Sequence, residues 1–502
     1  MKKIVSRLLV TILLLAIGIF LGKTFFGMDA SESIVPLPSG LRYSGAQISN
    51  DSTETVNLST YKGNIIEVND GESIQDAVAE ASDGDLIRVY PGTYNETVYI
   101  DKDNIALQGI IEEGEWPTLD GKKELNDAFL YSGNNILIEN FKIIEYKGNG
   151  IMGQAGNNFV LRNNWIIDTG VYGIFPQYGK NGLVEGNILS EIEDAAIYVG
   201  MCDNVDVKHN EVFDNVAGIE IENSRHCLVE NNYAHNNTGG ILAFVTPGLP
   251  IKTTFDVIIR NNFVVNNNHE NFGAPGSIVA GIPAGTGILI MAADDVIVEN
   301  NIITGNDNAG ITIVDLAQGA NLSNDPNSEP NPDRVVILDN FMQDNGNNPV
   351  GEIKALMLTQ LSQKGPDILA VGGGVGSTIR NRERYRAFGI DGYGVATISD
   401  TKNVHTYMLP EPVAPRSVSK EELGELTYYG VCAGCHAWNT RLIGVPTKIM
   451  QAIHNGNPQG IVDYINNPKN LREDYPEMPP QDYLSDDAKM AVAEYILAMD
   501  ED

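Results

Sequence analysis

Val431-Cys432-Ala433-Gly434-Cys435-His436 sets two thiols three positions apart, with a histidine directly after the second. That spacing suits covalent haem attachment: the thiols reach two vinyl groups on one porphyrin edge, and the adjacent imidazole turns under the iron. Zinc is the rival chemistry for such a pattern. It wants a fourth Cys or His at short spacing, and only His454 lies near. The flanking residues favour haem: Ser419 with Glu422 forms a capping box, Gly424 and Tyr428 precede Cys432 at helical spacing, and Ser485, Asp486 and Asp487 open a last helix. Val492, Tyr495, Ile496 and Met499 give that helix one apolar face.

A second group that could do chemistry lies far upstream. In Gly218-Ile219-Glu220-Ile221-Glu222 the isoleucines alternate with glutamates, so on a strand Glu220 and Glu222 share the outer face. Two residues apart on a strand is about 7 Å, within the range of paired acid and base carboxylates in glycoside hydrolysis. These two are therefore the candidate catalytic pair. The competing reading is a solvated acidic face or a cation site; calcium is conceivable there, but no ligand set supports it.

The element that would carry this pair is a repeat. A motif of alternating apolar residues ending at asparagine runs through Ile136–Asn140, Val160–Asn164, Leu183–Asn187, Val205–Asn210, Cys227–Asn232, Val257–Asn262, Val296–Asn301 and Val335–Asn340, and its basic period is 22 to 23 residues. A second motif, a small residue followed by alternation, keeps the same period at Gly150, Gly173, Ala196, Gly218 and Gly240. The internal period is two and the boundaries are Gly and Asn, which is strand and turn chemistry. Coils of this length describe a right-handed parallel β-helix, with asparagine ladders at the turns and a cap made of a helix over Ser73–Ala81 and a first strand at Leu86–Val89. Extra residues in later coils fall at Phe244–Thr254, Glu270–Gly285 and Ala317–Asp333, as loops framing one side. Outward positions beside the glutamates are Met152 and Gln154, Phe175 and Gln177, Tyr198 and Gly200, Leu242 and Phe244, Leu289 and Met291, Thr312 and Val314. An apolar, aromatic stripe of this kind marks a binding groove, a docked domain or a covering loop. Cys227 points inward and Cys202 lies at a neighbouring turn, so both are expected as buried free thiols.

Residues 417–502 resemble a small class I cytochrome c, through G-x-x-x-Y-x-x-x-C-x-x-C-H and the later Tyr475-Pro476-Glu477-Met478-Pro479-Pro480. The resemblance implies one covalently attached haem c, with Cys432 and Cys435 as attachment points, His436 as proximal ligand and Met478 as distal ligand. His454 is an alternative ligand, and Met450 sits nearby. Residues 64–345 resemble a family of exported parallel β-helix proteins of unassigned function, through Gly218-Ile-Glu-Ile-Glu-Asn223, Asn237-Thr-Gly-Gly-Ile-Leu242, Pro247-Gly-Leu-Pro250 and Pro283-Ala-Gly-Thr-Gly287. They are more distantly similar to pectate lyases, alginate epimerases and the accessory protein of nitrous-oxide reductase. The outward stripe offers neither the basic residue that lyases of this fold use nor the epimerase D-P-H motif.

The 502 residues then divide into an export segment (1–28), a spacer (29–62), the β-helix (63–345), its C-terminal cap (346–403), a Pro-rich linker (404–417) and a small all-α cytochrome domain (418–502). Lys2, Lys3 and Arg7 precede the apolar run Leu8–Leu21, which with Phe25 and Phe26 reads as a cleaved signal peptide or an uncleaved membrane anchor over residues 8–26. Either way the protein is exported, to a periplasmic or cell-surface location. A Gly372–Gly376 stretch lacks the strand and helix that a phosphate loop needs. With 33 basic and 66 acidic residues the formal charge is −33, which excludes a nucleic-acid partner and favours a redox partner with a cationic surface. The expected function is single-electron transfer by a monohaem c-type cytochrome, with the β-helix as a scaffold for docking or polysaccharide binding. The alternative is a carbohydrate-active enzyme carrying an accessory haem domain.

Overall fold

The computed structural model describes residues 61–500 except 320, 321, 323, 324, 417, 470, 471, 473, 474 and 476. Residues 1–60, which hold the stretch read as an export segment and nearly all of the expected spacer, lie outside the described residues. Among the described residues no helix is long and apolar enough to cross a membrane.

Three parallel sheets of 14, 11 and 10 strands are wound from one repeating path. Each coil contributes one strand to each sheet, as in Tyr172–Gln177, Lys180–Glu185 and Ile188–Ser190, followed by Ala195–Gly200, Asp203–Lys208 and Glu211–Phe213. The 11-stranded sheet, called the front sheet below, carries the outward stripe. Its inward column, Ile151, Ile174, Ile197, Ile219, Ile241, Ile288, Ile311 and Ile368, stacks in register, and all eight side chains are fully buried. Because side chains alternate across a strand, this one column fixes every outward neighbour.

Corners need a left-handed residue, which explains the composition of the repeat. Positive φ occurs at Asn140, Asn163, Gly186, His209, Asn231, Asn261, Asn300 and Asp339, one at the same corner of each coil. Gly, Asn and Asp adopt this conformation at least cost. The next residue builds a buried ladder. Asn187 Nδ2 donates to Asn210 Oδ1 (3.0 Å) and to the Leu161 carbonyl (2.9 Å), while Asn210 Oδ1 also accepts from the Asn187 amide (2.9 Å). The pattern runs from Asn164 to Asn340, and a second ladder runs from Asn215 to Asn345. Each amide satisfies backbone groups that would otherwise be buried and unpaired.

The N-terminal end is closed by the helix Ile74–Glu80, as expected, with Ser73 as its N-cap. Glu96 accepts from the Ile74 and Gln75 amides at its start, and Lys102 donates to the Val78, Ala79 and Ala81 carbonyls at its end, complementing the helix dipole at both termini. Leu86–Val89 is not the first strand: Ile65–Val68 precedes it and pairs with it. The coils also continue past residue 345. Ile368–Val371, Thr378–Ile379, Ala387–Phe388 and Gly394–Val395 extend the front and 14-stranded sheets through the segment expected as a cap, around the helix Gly351–Thr359. Cys202 and Cys227 are buried free thiols.

The Pro-rich linker is fastened to the solenoid. It runs back along the outside of the 14-stranded sheet, one coil at a time. Thr401 donates to Glu299, Lys402 pairs with Asp256, Thr406 and the Tyr407 amide bond Asp206, the Leu409 amide donates to Asn181 (2.7 Å), and Val413 exchanges bonds with Asn158. The periodic corner residues that turn each coil thus also fasten a strap. Arg416 ends it, stacking on Tyr178 (4.7 Å) and donating to the Tyr178 carbonyl (2.6 Å) at the edge of the front sheet.

Beyond the strap lies a helical module: helices Lys420–Thr427, Thr447–Ile453, Pro458–Asn466 and Asp486–Ala498, with a wide turn at Tyr428–Cys432. The first and last helices cross at Gly424, where a Cβ would lie 2.4 Å from the Ala491 carbonyl oxygen, so only glycine fits. The capping box of Ser419 and Glu422 is present.

Candidate functional site

The outward stripe is in the register read from the repeat. Met152 pairs with Phe175 and Gln154 with Gln177; Tyr198 pairs with Glu220 and Gly200 with Glu222; the latter two pair with Leu242 and Phe244. It is not exposed. Tyr172, Phe175, Tyr198, Leu242, Phe244 and Met291 are buried beneath the rim loops and the helical module. The expectation of a solvated glutamate face is overturned for the same reason: Glu220 is 1% and Glu222 5% exposed.

The module rests on this face through the segment carrying the two cysteines. Gln177 Nε2 donates to the Tyr429 carbonyl, Gln154 Nε2 donates to the Tyr483 hydroxyl, and the Tyr483 ring packs on Tyr99 at 4.8 Å. The contact is too close for side chains on the loop. A Cβ on Gly430 would lie 3.1 Å from that of Ala155, and one on Gly434 2.6 Å from Gln177 Oε1. From the solenoid side, a Cβ on Gly248 would meet Thr440 Oγ1 at 2.4 Å.

Between loop and sheet lies a cavity of about 60 Å³. Its floor is Tyr172, Asp194, Tyr198, Glu220, Glu222 and Phe244; the 277–279 loop and Leu249 form its sides, and Gly434 with Arg441–Ile443 its roof. Tyr172 and Tyr198 stack at 4.5 Å with their planes 19° apart. Burial raises all three carboxyls. Glu220 is raised well above its ordinary value by burial and then by the charge of Asp194. Glu222 rises to about 8, mainly through burial, with the Thr246 hydroxyl pulling back and Asp194 pushing further up. Asp194 rises to about 7 through burial. Glu220 Oε1 has no hydrogen-bond partner.

Asp194 is the member that sequence reasoning missed. It stands just before the strand Ala195–Gly200, outside the alternating segment, so the period-two pattern is silent about it. The signal was its column: its amide bonds Val171 in the coil before, the following coil bonds its carbonyl, and valines occupy the equivalent places at 171 and 216.

The haem-type donor set is gathered in one turn. Cys432 and Cys435 are free thiols, both half-buried. Burial raises the Cys435 thiol, and the charges of Asp127 and Asp194 raise it further, which sets it toward the solenoid. The Tyr428 hydroxyl donates to the His436 carbonyl (2.6 Å), and His436 Nδ1–H donates to the Val445 carbonyl (2.8 Å). A carbonyl only accepts, so Nδ1 carries the proton and Nε2 keeps its lone pair; burial holds the ring neutral. Two thiols and a neutral imidazole are the donor types that a covalently held haem would use. Met478 lies half-buried in the irregular segment between the last two helices, and His454 is the C-cap of the helix Thr447–Ile453, with Met450 packed in the module core. Among the described residues no three His, Cys, Asp or Glu side chains are gathered to hold a metal ion, so neither a zinc site around Cys432 and Cys435 nor a calcium site at the glutamates has its ligand set.

A search of curated protein sequences returns no match. The family model described as the right handed beta helix region matches residues 124–247. Among solved structures, the chain is similar to the A-module of a mannuronan C-5 epimerase from Azotobacter vinelandii, at 15% identity and a TM-score of 0.42, over 61% of this chain and 80% of that one. It is also similar to an alginate lyase from Paenibacillus sp., at 14% identity and a TM-score of 0.41, over 57% of this chain and 98% of that one. A third is the DFA-IIIase of Arthrobacter chlorophenolicus, at 14% identity and a TM-score of 0.41, over 67% of this chain and 97% of that one. Residues 124–247 include the front-sheet strand that carries both Glu220 and Glu222, and what they form is a right-handed parallel β-helix.

Proposed function

We propose that the protein is an exported monohaem electron-transfer protein, with a haem held by Cys432 and Cys435 and ligated by His436 and Met478. The observation that carries this reading is the donor set in one turn: two free thiols and an imidazole whose Nδ1 is fixed by Val445. When bound, a haem supplies a one-electron couple. The chain's own residues do the rest. Gly430 and Gly434 let the attachment loop lie flat on the front sheet, Gln154 and Gln177 hold it there, and the strap fixes which coils it faces. The β-helix is then the scaffold on which the redox module docks, and the charge of −33 favours a cationic partner surface. Periplasmic expression followed by a pyridine haemochrome assay tests the reading. One haem per chain is expected, with none retained covalently in Cys432→Ser/Cys435→Ser; a haem-free wild-type protein overturns it.

A second reading is favoured by a separate observation. Glu220, Glu222 and Asp194 lie together on the front sheet between the rim loops, and their raised pKa values suit a carboxylic acid that donates a proton at neutral pH. On this reading the front sheet processes a polysaccharide. In the closed arrangement the cavity is too small for a sugar ring, so the helical module must lift before a chain can enter. Incubation with acidic and neutral polysaccharides, followed for reducing ends and unsaturated products, separates the two. Cleavage that is lost in Glu220→Gln selects the second.

A further inference from the structure

Two of the three sheets have their outer faces covered within the chain: the strap lies on the 14-stranded sheet and the helical module on the front sheet. The 10-stranded sheet has no such cover, and among the described residues no helix packs on its strands. Its outward side chains follow from the register. Past Lys142, one column holds Trp165, Ile188, Tyr233, Phe263, Ile302 and Phe341, with Glu211 between Ile188 and Tyr233. The column beside it adds Ile144, Ile167 and Phe213. Trp165, Ile188, Tyr233, Phe263 and Ile302 are half-buried in the single chain, and Phe341 is 50% exposed. Glu211, the acidic member of the column, lies 3.2 Å from His235 Nε2.

Parallel sheets are normally covered on both faces, and a continuous apolar strip left open marks a contact surface. The size of the face bears on what covers it. Ten strands at a spacing of about 4.8 Å span about 43 Å, and with the corner residue on either side the face is about 16 Å wide. That is about 700 Å² per copy, close to the roughly 800 Å² that each partner contributes to a stable interface. The repeat selects the partner. Only a surface with the same rise per coil can mesh with these rows along their whole length, and a second solenoid of this chain has that rise by construction. Sugar rings are served less well, because the Lys142 ammonium already sits over Trp165 at 4.4 Å, and Tyr233 and Phe213 both stack on His235. Anionic lipid is disfavoured by the acidic corners Glu145, Asp168, Glu191 and Asp214 along one long edge, of which Asp168 pairs with Lys123.

We infer that the outer face of the 10-stranded sheet is a homodimer interface, on which a second copy of this chain packs sheet to sheet through the column from Trp165 to Phe341. A two-fold axis along the strip sets the acidic edge of one copy against the other edge of its partner, where the corners are Asn163, Gly186, His209 and Asn231. Both front sheets stay outside the contact, so the inference is independent of the haem and polysaccharide readings.

The test is sedimentation equilibrium of the full-length protein. A dimer is expected at about 10 μM chain, since interfaces of this size reach micromolar affinity or better. Phe263→Glu and Ile188→Glu each put a carboxylate in the strip of both copies and should raise the dissociation constant at least tenfold. Both side chains point outward, so the far-ultraviolet circular dichroism should not change. Leu361→Glu, at a side chain 97% exposed and off the strip, should leave the dimer intact. Raising sodium chloride from about 0.05 to about 0.5 M should tighten the dimer, because salt screens the repulsion between two acidic chains and leaves the apolar contact. Hydroxyl-radical footprinting of the wild type needs no substitution: Trp165 and Phe341 should be oxidised less at about 50 μM than at about 0.5 μM, a range that spans a micromolar dissociation constant. The inference is overturned by a wild type that stays monomeric at about 100 μM, by a dimer that both strip variants leave intact or that Leu361→Glu weakens equally, by dissociation as salt rises, or by footprints that do not change with concentration. A monomer that instead sediments with phosphatidylcholine vesicles or with a neutral polysaccharide gives the face to that partner, and equally overturns it.

Discussion

Ionisation of Glu222 should open the interface between the helical module and the front sheet. Its carboxyl is buried beneath the turn that carries Gly434, and burial, moderated by Thr246 and reinforced by Asp194, raises it from 4.5 to about 8. Below pH 4.5 the group is protonated whether the face is covered or open, so the closed state bears no cost. From there to about pH 8 the open state sheds its proton while the closed state keeps it, and each pH unit disfavours closure by about 1.4 kcal/mol. At pH 7 the accumulated bias toward opening is at most about 3.4 kcal/mol, a factor of about 300 in the opening equilibrium. Glu222→Gln removes this term. Amide hydrogen exchange of residues 428–436, measured by mass spectrometry and corrected for the intrinsic pH dependence, reads the opening directly. The wild type should lose protection between pH 5 and pH 8, and Glu222→Gln should lose less, with the two converging near pH 4.5. Asp194 and Glu220 are raised in the same direction, so some pH dependence survives in the variant. Equal pH dependence in both proteins, or protection that grows with pH, refutes the reasoning.

Three further outcomes can be checked. Asn210→Ala leaves the Asn187 amide and the Val184 carbonyl unpaired in the core, a loss of about 3 kcal/mol, and should lower the thermal unfolding temperature with little change in the folded circular dichroism. Gly430→Val drives a side chain into Ala155 and the Gln154 backbone, so it should expose residues 428–436 to exchange at every pH while leaving the solenoid amides protected. Met478→Ala should abolish the weak long-wavelength absorbance that a methionine-ligated oxidised haem shows, and an unchanged spectrum assigns the distal position to another residue such as His454.

Periodicity carried the architecture because it is a local property repeated many times. Alternation alone placed Ile219 inside and Glu220 outside, and the in-register pairing of Tyr198, Glu220 and Leu242 follows from a constant coil length. The same logic located the corners, since a left-handed residue must recur wherever the chain turns. What covers a face is set by contacts distant in sequence, and no pattern within a coil encodes it. Gln154 meets Tyr483 and Gln177 meets Tyr429, partners hundreds of residues apart. For that reason the sequence is silent on what buries Glu220 and on where the Pro-rich linker lies. The strap residues Asp206, Asn181 and Asn158 looked like ordinary corner and strand polars, and their second role appears only when the segment 401–416 is laid against them. Gly434 carried a legible hint, because a glycine inside the attachment motif leaves one side of the loop free for close approach.

Burial and charge oppose each other at this interface. The aromatic stripe favours closure by burying Tyr172, Phe175, Tyr198 and Phe244, while the buried carboxyls oppose it once they ionise. The two contributions separate by their pH dependence. Loss of a ring from the stripe, as in Phe175→Ala, should speed exchange of residues 428–436 by a similar factor at every pH, whereas Glu222→Gln should slow it only above pH 4.5. An effect of Phe175→Ala that appears only at high pH would mean that the rings act through the carboxyls and not by burial of their own surface.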